Sequence, residues 1–408
     1  MIRQPVVLLA LGSYQHATHR GVARFAREQG WHLVADMAYG GQIPRGWEGD
    51  GIITSLTDRD ELTDFVIGTG AHVVDLNMVR ADIPLPRVVG NHEAIGKLAA
   101  MHLLERGFEQ FAWYAVHENR TALDRRTGFL RELNDEGMDL SHCTNLIWSH
   151  APVGIKPSAP NTSAGQTTIT AKGGEAPTAE HDWTHRRDWI IQALDPLPKP
   201  LAVFAYNDYQ ASHVINACLH AGIQIPEQVA VVGVDNDELV CECLPVPLSS
   251  VKHDLETRGY QGAALLAQRM KGPIDAPIPD PVRIDPSGVV TRKSSDILAL
   301  PDPQVAKALR HIWNHFHEPL SISEVVAATQ VSRRTLEKAF RQHLQRSILD
   351  EVQRVRLQRV KELLAHTDFS MRQIATQAGF ASPQYLHQIF RKELGTTPGD
   401  YRKQHTAG

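Results

Sequence analysis

The chain is poor in cysteine and contains no long apolar run. Four cysteines (Cys143, Cys218, Cys241 and Cys243) in 408 residues are too few for a disulfide framework and fit a reducing compartment. No stretch of 18 or more apolar residues occurs, which excludes a transmembrane helix. The first apolar run, Val6–Leu11, lacks a signal-type cleavage site and reads as a buried strand. A cytoplasmic protein with no membrane partner is expected. The usual signatures of chemistry are missing as well. Gly68-Thr-Gly70 lacks the third glycine of a dinucleotide fingerprint, and no phosphate-cradling loop or nucleophile elbow occurs. Cys241-Glu-Cys243 has no His or Cys pair at zinc-site spacing nearby. His16, His19, His311, His315 and His317 do not pair with an acid as in metallohydrolases. No catalytic residue, metal site, cofactor or enzymatic activity is expected.

What is present is ordinary for a globular protein, with 42% hydrophobic and 22% charged residues, at a length that suggests two or three domains. The net charge of -4 conceals an asymmetry. Residues 303–408 carry 16 Lys and Arg against 9 Asp and Glu, a net +7, which leaves 26 against 37, a net -11, for residues 1–302. An acidic body with a basic tail is what a nucleic-acid binder with a separate second task would show.

Along the first 290 residues short apolar runs alternate with amphipathic stretches. Val6–Leu11, Gly51–Thr54, Val73–Leu76, Phe111–Val116, Leu201–Ala205, Val229–Val234 and Leu248–Val251 read as strands. Arg20–Glu28, Glu93–Glu105, Thr127–Glu136, Asp182–Leu194 and Tyr209–His220 have helical spacing. This rhythm predicts parallel sheets covered by helices, arranged as two lobes. A stretch rich in Pro, Ser, Thr, Gly and Ala, residues 152–178, is expected to be a flexible surface insertion. The body is assigned residues 1–293, a linker residues 294–303, and an all-α domain residues 304–408.

The tail contains a repeat. Its first copy is a short helix with Ile322, Val325 and Val326, a turn through Thr329-Gln330-Val331, a cap at Ser332, and a second helix carrying Leu336, Ala339, Phe340 and Leu344. The second copy has Met371, Ile374 and Ala375, a turn at Ala378-Gly379-Phe380, a cap at Ser382, and a helix with Leu386, Ile389, Phe390 and Leu394. Each second helix places its apolar residues at i, i+3, i+4 and i+8, on one face. Between the copies, Ile348–His366 reads as a rigid spacer helix. Two short helices joined by a tight turn are a helix-turn-helix, whose second helix can enter a major groove about 12 Å wide. The polar face of the first copy offers Arg333, Arg334, Glu337, Lys338 and Arg341, suited to phosphates, guanine edges and a cytosine amine. The second offers Gln384, His387, Gln388 and Arg391, and glutamine is a residue type that pairs bidentately with adenine.

The segment Ile374-Ala375, Gly379-Phe380, Ser382-Pro383-Gln384-Tyr385-Leu386, Phe390-Arg391-Lys392, Gly395-Thr396-Thr397-Pro398 and Tyr401-Arg402 resembles the C-terminal signature of AraC/XylS-family transcription regulators. The resemblance implies two helix-turn-helix units entering adjacent major grooves of double-stranded DNA. By position, the base-facing residues are Arg333, Arg334, Glu337 and Lys338 in one unit, and Gln384, His387 and Gln388 in the other. The first unit departs from the pattern, with Val326 in place of a small alanine and Gln330 in place of the turn glycine. A non-glycine in a left-handed turn is costly, so a distorted first turn is expected.

In the body, Val203–Asp208 with Ala211, Gly222–Asp237 and Pro247–Val251 resemble the effector domains of LacI/GalR-type repressors, which are built like periplasmic sugar-binding proteins. The resemblance implies two α/β lobes clamping a ligand. A body of this kind ahead of an AraC-type tail is similar to the xylose operon regulators of the AraC class. Ligands in open α/β sheets bind at the carboxyl ends of strands, where Asn207, Asp208 and Asp235 fall. Asp and Asn can each bridge two sugar hydroxyls, and Arg adds a planar fork. Arg125 lies three residues before Gly128-Phe129, where the repressor family places its ligand-binding arginine; Arg120 and Arg126 flank it. Tyr14, after the first strand, offers a flat face or a hydroxyl. Capping of helices or turns is the alternative role for Asp208 and Asp235. Together these features point to a homodimeric transcription regulator controlled by a small sugar effector, with xylose or another pentose first. Two alternatives stay open: an orphan regulator with a vestigial pocket governed by a protein partner, and a sugar or nucleotide enzyme with a DNA-targeting tail.

Overall fold

The computed structural model describes residues 4–148, 167–170, 183–297 and 302–405. The chain forms two compact units, Met1–Asp296 and Ile297–Gly408. The first begins with β1 (Val6–Leu11), α1 (His16–Glu28), β2 (His32–Val34), α2 (Met37–Gly40), β3 (Gly51–Ser55), α3 (Asp60–Gly68) and β4 (His72–Asp75). These strands make a parallel sheet in the order β2-β1-β3-β4. After β5 (Val88–Gly90) the chain crosses to a second lobe. That lobe holds α4 (His92–Leu104), β6 (Gln110–Ala115), α5 (Arg120–Asp135), β7 (Cys143–Ile147), β8 (Thr167–Thr170) and α6 (Trp183–Leu194). It continues with β9 (Leu201–Ala205), α7 (Asp208–Ala221), β10 (Val229–Val234), α8 (Glu238–Cys241) and β11 (Ser249–Val251). The chain returns to the first lobe with α9 (Leu255–Arg269) and with β12 (Val282–Ile284), which pairs in parallel with β5. It crosses again to end on β13 (Val289–Val290), antiparallel to β11. The second sheet runs β13-β11-β10-β9-β6-β7-β8.

Buried runs of Val, Ile and Leu on the central strands explain why the parallel strands were legible: they are covered on both faces and read as continuous apolar segments. Of the strands not anticipated, β2, β5, β8 and β12 are three or four residues long, and β7 is five. Helix α5 starts well before the apolar period begins. Asn119 caps it by accepting from the Ala122 amide, and its polar residues Asp124, Arg125 and Arg126 are buried. Of the expected insertion at 152–178, residues 167–170 form an edge strand; the rest lies outside the described residues. The linker expected from residue 294 starts later. Ser294 and Ser295 are buried in the body, and the Ser294 hydroxyl donates to the Val231 carbonyl at 2.6 Å.

Among the described residues three crossovers join the lobes, and they are tied together. The Asn91 amide donates to Ile284 O at 2.8 Å, its side chain donates to Asp285 at 2.7 Å, and Lys252 N donates to Gly288 O at 2.8 Å. Each lobe is also braced by one very close helix pair. In α4 against α5, a Cβ on Gly128 would stand 2.0 Å from Glu93 O, and one on Gly96 would stand 2.0 Å from Arg125 O. Only glycine allows that approach, and it brings the start of α4 beside Arg125.

The second unit contains α10 (Pro303–His315), α11 (Ile322–Ala327), α12 (Arg333–Leu344), α13 (Ile348–His366), α14 (Met371–Gln377), α15 (Pro383–Leu394) and α16 (Pro398–His405). Its described residues form two apolar cores. One gathers Val305, Leu309, Ile312, Val325, Leu336 and Phe340 with Ile348 and Val352; the other gathers Ile374, Ala375, Phe380, Leu386 and Phe390 with Leu357, Val360 and Leu364. Helix α13 contributes to both cores, so it fixes the spacing of the two helix-turn-helix units. Ser332 and Ser382 cap α12 and α15 by accepting from Thr335 N and Tyr385 N. The two turns differ. Gly379 is left-handed at φ +75, whereas Gln330 has no positive φ. The first turn avoids the left-handed cost by another path, and the Gln330 amide donates to the Gln304 side chain on α10 at 3.0 Å. Val326 packs at the edge of the first core.

Candidate functional site: a charge cluster at two strand ends and two exposed helices

Two strand ends bring charged groups together in the second lobe. The Arg125 guanidinium reaches from α5 to the Tyr206 carbonyl just beyond β9, and lies 4.9 Å from the centre of the Tyr206 ring. Its Nη2 is 3.6 Å from the carboxylate of Asp235, just beyond β10. Asp235 has φ +102 and is followed by Asn236 at +52, a costly turn that aims the carboxylate back at the arginine. His253, between β11 and α9, approaches the same carboxylate with Nδ1 at 3.4 Å. His92, at the start of α4, faces Arg125 Nε at 3.4 Å. From α9, Arg258 donates to Gln15 at 2.5 Å and to Thr18 at 3.0 Å, at the start of α1.

The electrostatics follow from burial and these neighbours. Burial pushes Asp235 up, but the hydrogen bond from His253 and the charges of Arg125 and Arg258 outweigh it, so the carboxyl titrates below its usual value. Burial drives His253 down to about 4, against the pull of Asp235, so it is a neutral donor near neutral pH. Burial, then the charges of Arg125, His253, Arg258 and Arg283, hold His92 well below the ordinary histidine range. Burial also lowers Arg258 to about 10.

Arg125 and Asp235 therefore meet, while the other candidates take different places. Asn207 caps α7, its side-chain oxygen accepting from Gln210 N at 2.9 Å. Asp208 is 2% exposed and turned inward, accepting from the Ser250 hydroxyl at 2.6 Å and from Asp237 N at 2.8 Å. Burial, and then the charge of Asp235, raise its carboxyl to about 7. Asp208 thus braces the turn that carries Asp235, and the absence of a Cβ on Gly233 makes room for it. Tyr14 is exposed, its hydroxyl 2.9 Å from His19 Nδ1. The neighbours of Arg125 point elsewhere, Arg120 to Asp124 at 2.9 Å and Arg126 to Glu118. His92, His253, Arg258 and Tyr206 were not anticipated, because each is a single residue at a crossover or helix start with no local pattern.

In the second unit, Arg333, Arg334 and Lys338 are exposed on α12 and Glu337 is half-buried, opposite the core residues Leu336 and Phe340. Gln384, His387 and Gln388 are exposed on α15, with Tyr385 41% exposed beside them. Among the described residues Arg333, Arg334 and Lys338 enter no ion pair, so their donors are open to a partner.

Comparison with known proteins agrees with this two-part architecture. Residues 159–295 match the model of the periplasmic binding protein-like domain, and residues 325–404 match that of a helix-turn-helix domain. The xylose operon regulatory protein of Escherichia coli (strain K12) is 27% identical over 96% of this chain and 94% of its own length. That of Haemophilus influenzae is 28% identical over 78% of this chain and 74% of its own length. Among solved structures, a xylose-binding transcription activator, xylR, covers 99% of each chain with a TM-score of 0.55 at 24% identity. A LacI family regulator from Enterococcus faecium with bound ribose covers 71% of this chain and 98% of its own, with a TM-score of 0.52 at 18% identity. The chain thus joins a periplasmic-binding-protein-like body to an AraC-type helix-turn-helix domain, and it is a homologue of the xylose operon regulatory proteins.

Proposed function

We propose that this protein is a cytoplasmic, homodimeric transcription regulator whose binding to double-stranded DNA is controlled by a small sugar, with xylose or another pentose as effector. The observation that carries the reading is the Arg125–Asp235 pair at the ends of β9 and β10, its arginine buried and its aspartate half-buried, in a chain that also exposes two capped helices rich in Arg, Lys and Gln. A planar fork beside a carboxylate offers donors and acceptors at the spacing of neighbouring sugar hydroxyls. In this reading Arg125 and Asp235 contact the sugar directly. Asn207 offers its remaining amide group, Tyr14 lies at the rim, and Asp208 acts by holding the Asp235 turn. On the DNA side, Arg333, Arg334, Glu337 and Lys338 face one major groove, and Gln384, His387 and Gln388 face the next. The sugar shifts the lobes only by its differential affinity for their open and closed arrangements.

The test is thermal unfolding of the full chain against pentoses, hexoses and nucleosides, with Asp235→Ala alongside. A ligand at 100 times its Kd adds about 2.7 kcal/mol. A shift for a pentose that disappears in the variant supports the reading. A flat panel rejects the sugar effector and favours control by a protein partner.

A further inference from the structure

Four contacts hold the Arg125 guanidinium, and three of them come from the strand ends: the Tyr206 carbonyl, the Tyr206 ring and Asp235. The fourth, His92, comes from a crossover. Its Nδ1 faces Arg125 Nε at 3.4 Å. A guanidinium has no acceptor to offer, so this contact requires an unprotonated Nδ1, with the ring proton on Nε2. His92 is 3% exposed, and its ring lies edge-on to that of His253, with centroids 5.9 Å apart. His253 sits on a second crossover and donates to Asp235. Arg125 and Asp235 are thus each propped by a histidine from a different connection between the lobes, and the two histidine rings touch.

We infer that His92 is a positioning residue for Arg125: as a neutral acceptor at the first crossover it sets the angle at which the guanidinium meets the effector. The inference rests on the reading that Arg125 faces the effector. The charged and titratable groups acting on His92 are Arg125 on α5, His253 on the second crossover, Arg258 on α9 and Arg283 on β12. All of them are cationic or neutral donors, so a proton on His92 has little to stabilise it and sets N–H against N–H. Acid therefore releases Arg125 from this anchor while its strand-end anchors remain.

The test uses the full chain labelled with 15N-arginine. The Arg125 Nε–H signal, assigned by its loss in Arg125→Lys, is expected to exchange slowly with water at neutral pH. His92→Asn, which puts an amide oxygen near the position of Nδ1, should keep that signal. His92→Phe, which keeps the bulk but has no acceptor, should lose it. Acidification well below pH 6.5, where the buried His92 finally takes up a proton, should remove the signal reversibly in the wild type and leave it in His92→Asn. With D-xylose as probe, the affinity of His92→Phe should fall about tenfold, roughly the worth of one hydrogen bond to a charged group. The signal surviving in His92→Phe, or disappearing in His92→Asn, overturns the inference. If His92→Phe does not fold, the acid response of the wild type against His92→Asn decides alone. Failure of D-xylose to bind any form rejects xylose as the effector, and the Arg125 signal still judges the role of His92.

Discussion

Gly128→Ala makes the close helix pair of the second lobe measurable. A Cβ at that position would stand 2.0 Å from the backbone oxygen of Glu93 and 2.7 Å from its Cα. The obstacle is main chain, so no rotamer change relieves it, and α4 and α5 must separate by well over an ångström. Overpacking of this kind costs about 1–3 kcal/mol, and a rigid backbone neighbour puts it at the upper end. The higher helix propensity of alanine returns about 1 kcal/mol. The net loss is about 2 kcal/mol, or roughly 4–8 °C in the transition of the first unit. Gly68→Ala is the matched control: its Cβ meets nothing within 4 Å at the end of α3, and it should be neutral or slightly stabilising. The assay is calorimetry of the full chain at fixed pH, with urea unfolding as a second measure. Separation of the helices also moves His92 from Arg125, so effector affinity should fall together with stability. If Gly128→Ala melts at or above the wild type, the close packing of α4 on α5 does not exist in solution and the reasoning fails.

Two further outcomes are expected. Asp208 titrates near 7 in the folded chain against about 3.9 when unfolded, so the folded state binds the extra proton. Its contribution is fully present below the unfolded value and is lost as pH rises through about 7. Asp208→Asn should therefore gain on the wild type in urea unfolding as pH rises from 5 to 8, and parallel stability curves would refute the burial argument. Arg334→Ala should cost about 1–3 kcal/mol of discrimination at one base pair, with little change on random DNA. Equal losses on specific and random duplexes, read by fluorescence anisotropy at fixed salt, would show that Arg334 contacts phosphate instead.

The sequence by itself determined the class of each unit. Buried parallel strands such as Leu201–Ala205 and Val229–Val234 are continuous apolar runs, and the recognition helices repeat their apolar residues on one face, so local period and composition sufficed. Serine caps at 332 and 382 were legible for the same reason: a cap needs only its own helix. Asp235 was reachable because a strand end marks its position, and Arg125 because the resemblance to the repressor family implies an arginine three residues before Gly128-Phe129. The sequence did not carry the difference between Asp208 and Asp235, two aspartates following neighbouring strands. Asp208 turns inward to Ser250 and the Asp237 amide, and Asp235 turns back toward Arg125, because the β11 register and the space above Gly233 decide it. Nor could the sequence show that Gln330 escapes the left-handed turn, since the acceptor for its amide is supplied by Gln304, 26 residues away. His92, His253 and Arg258 are distant in the chain and without local pattern. They become neighbours only because three crossovers converge between the lobes, and convergence of that kind belongs to strand order and helix packing, which local periodicity does not encode.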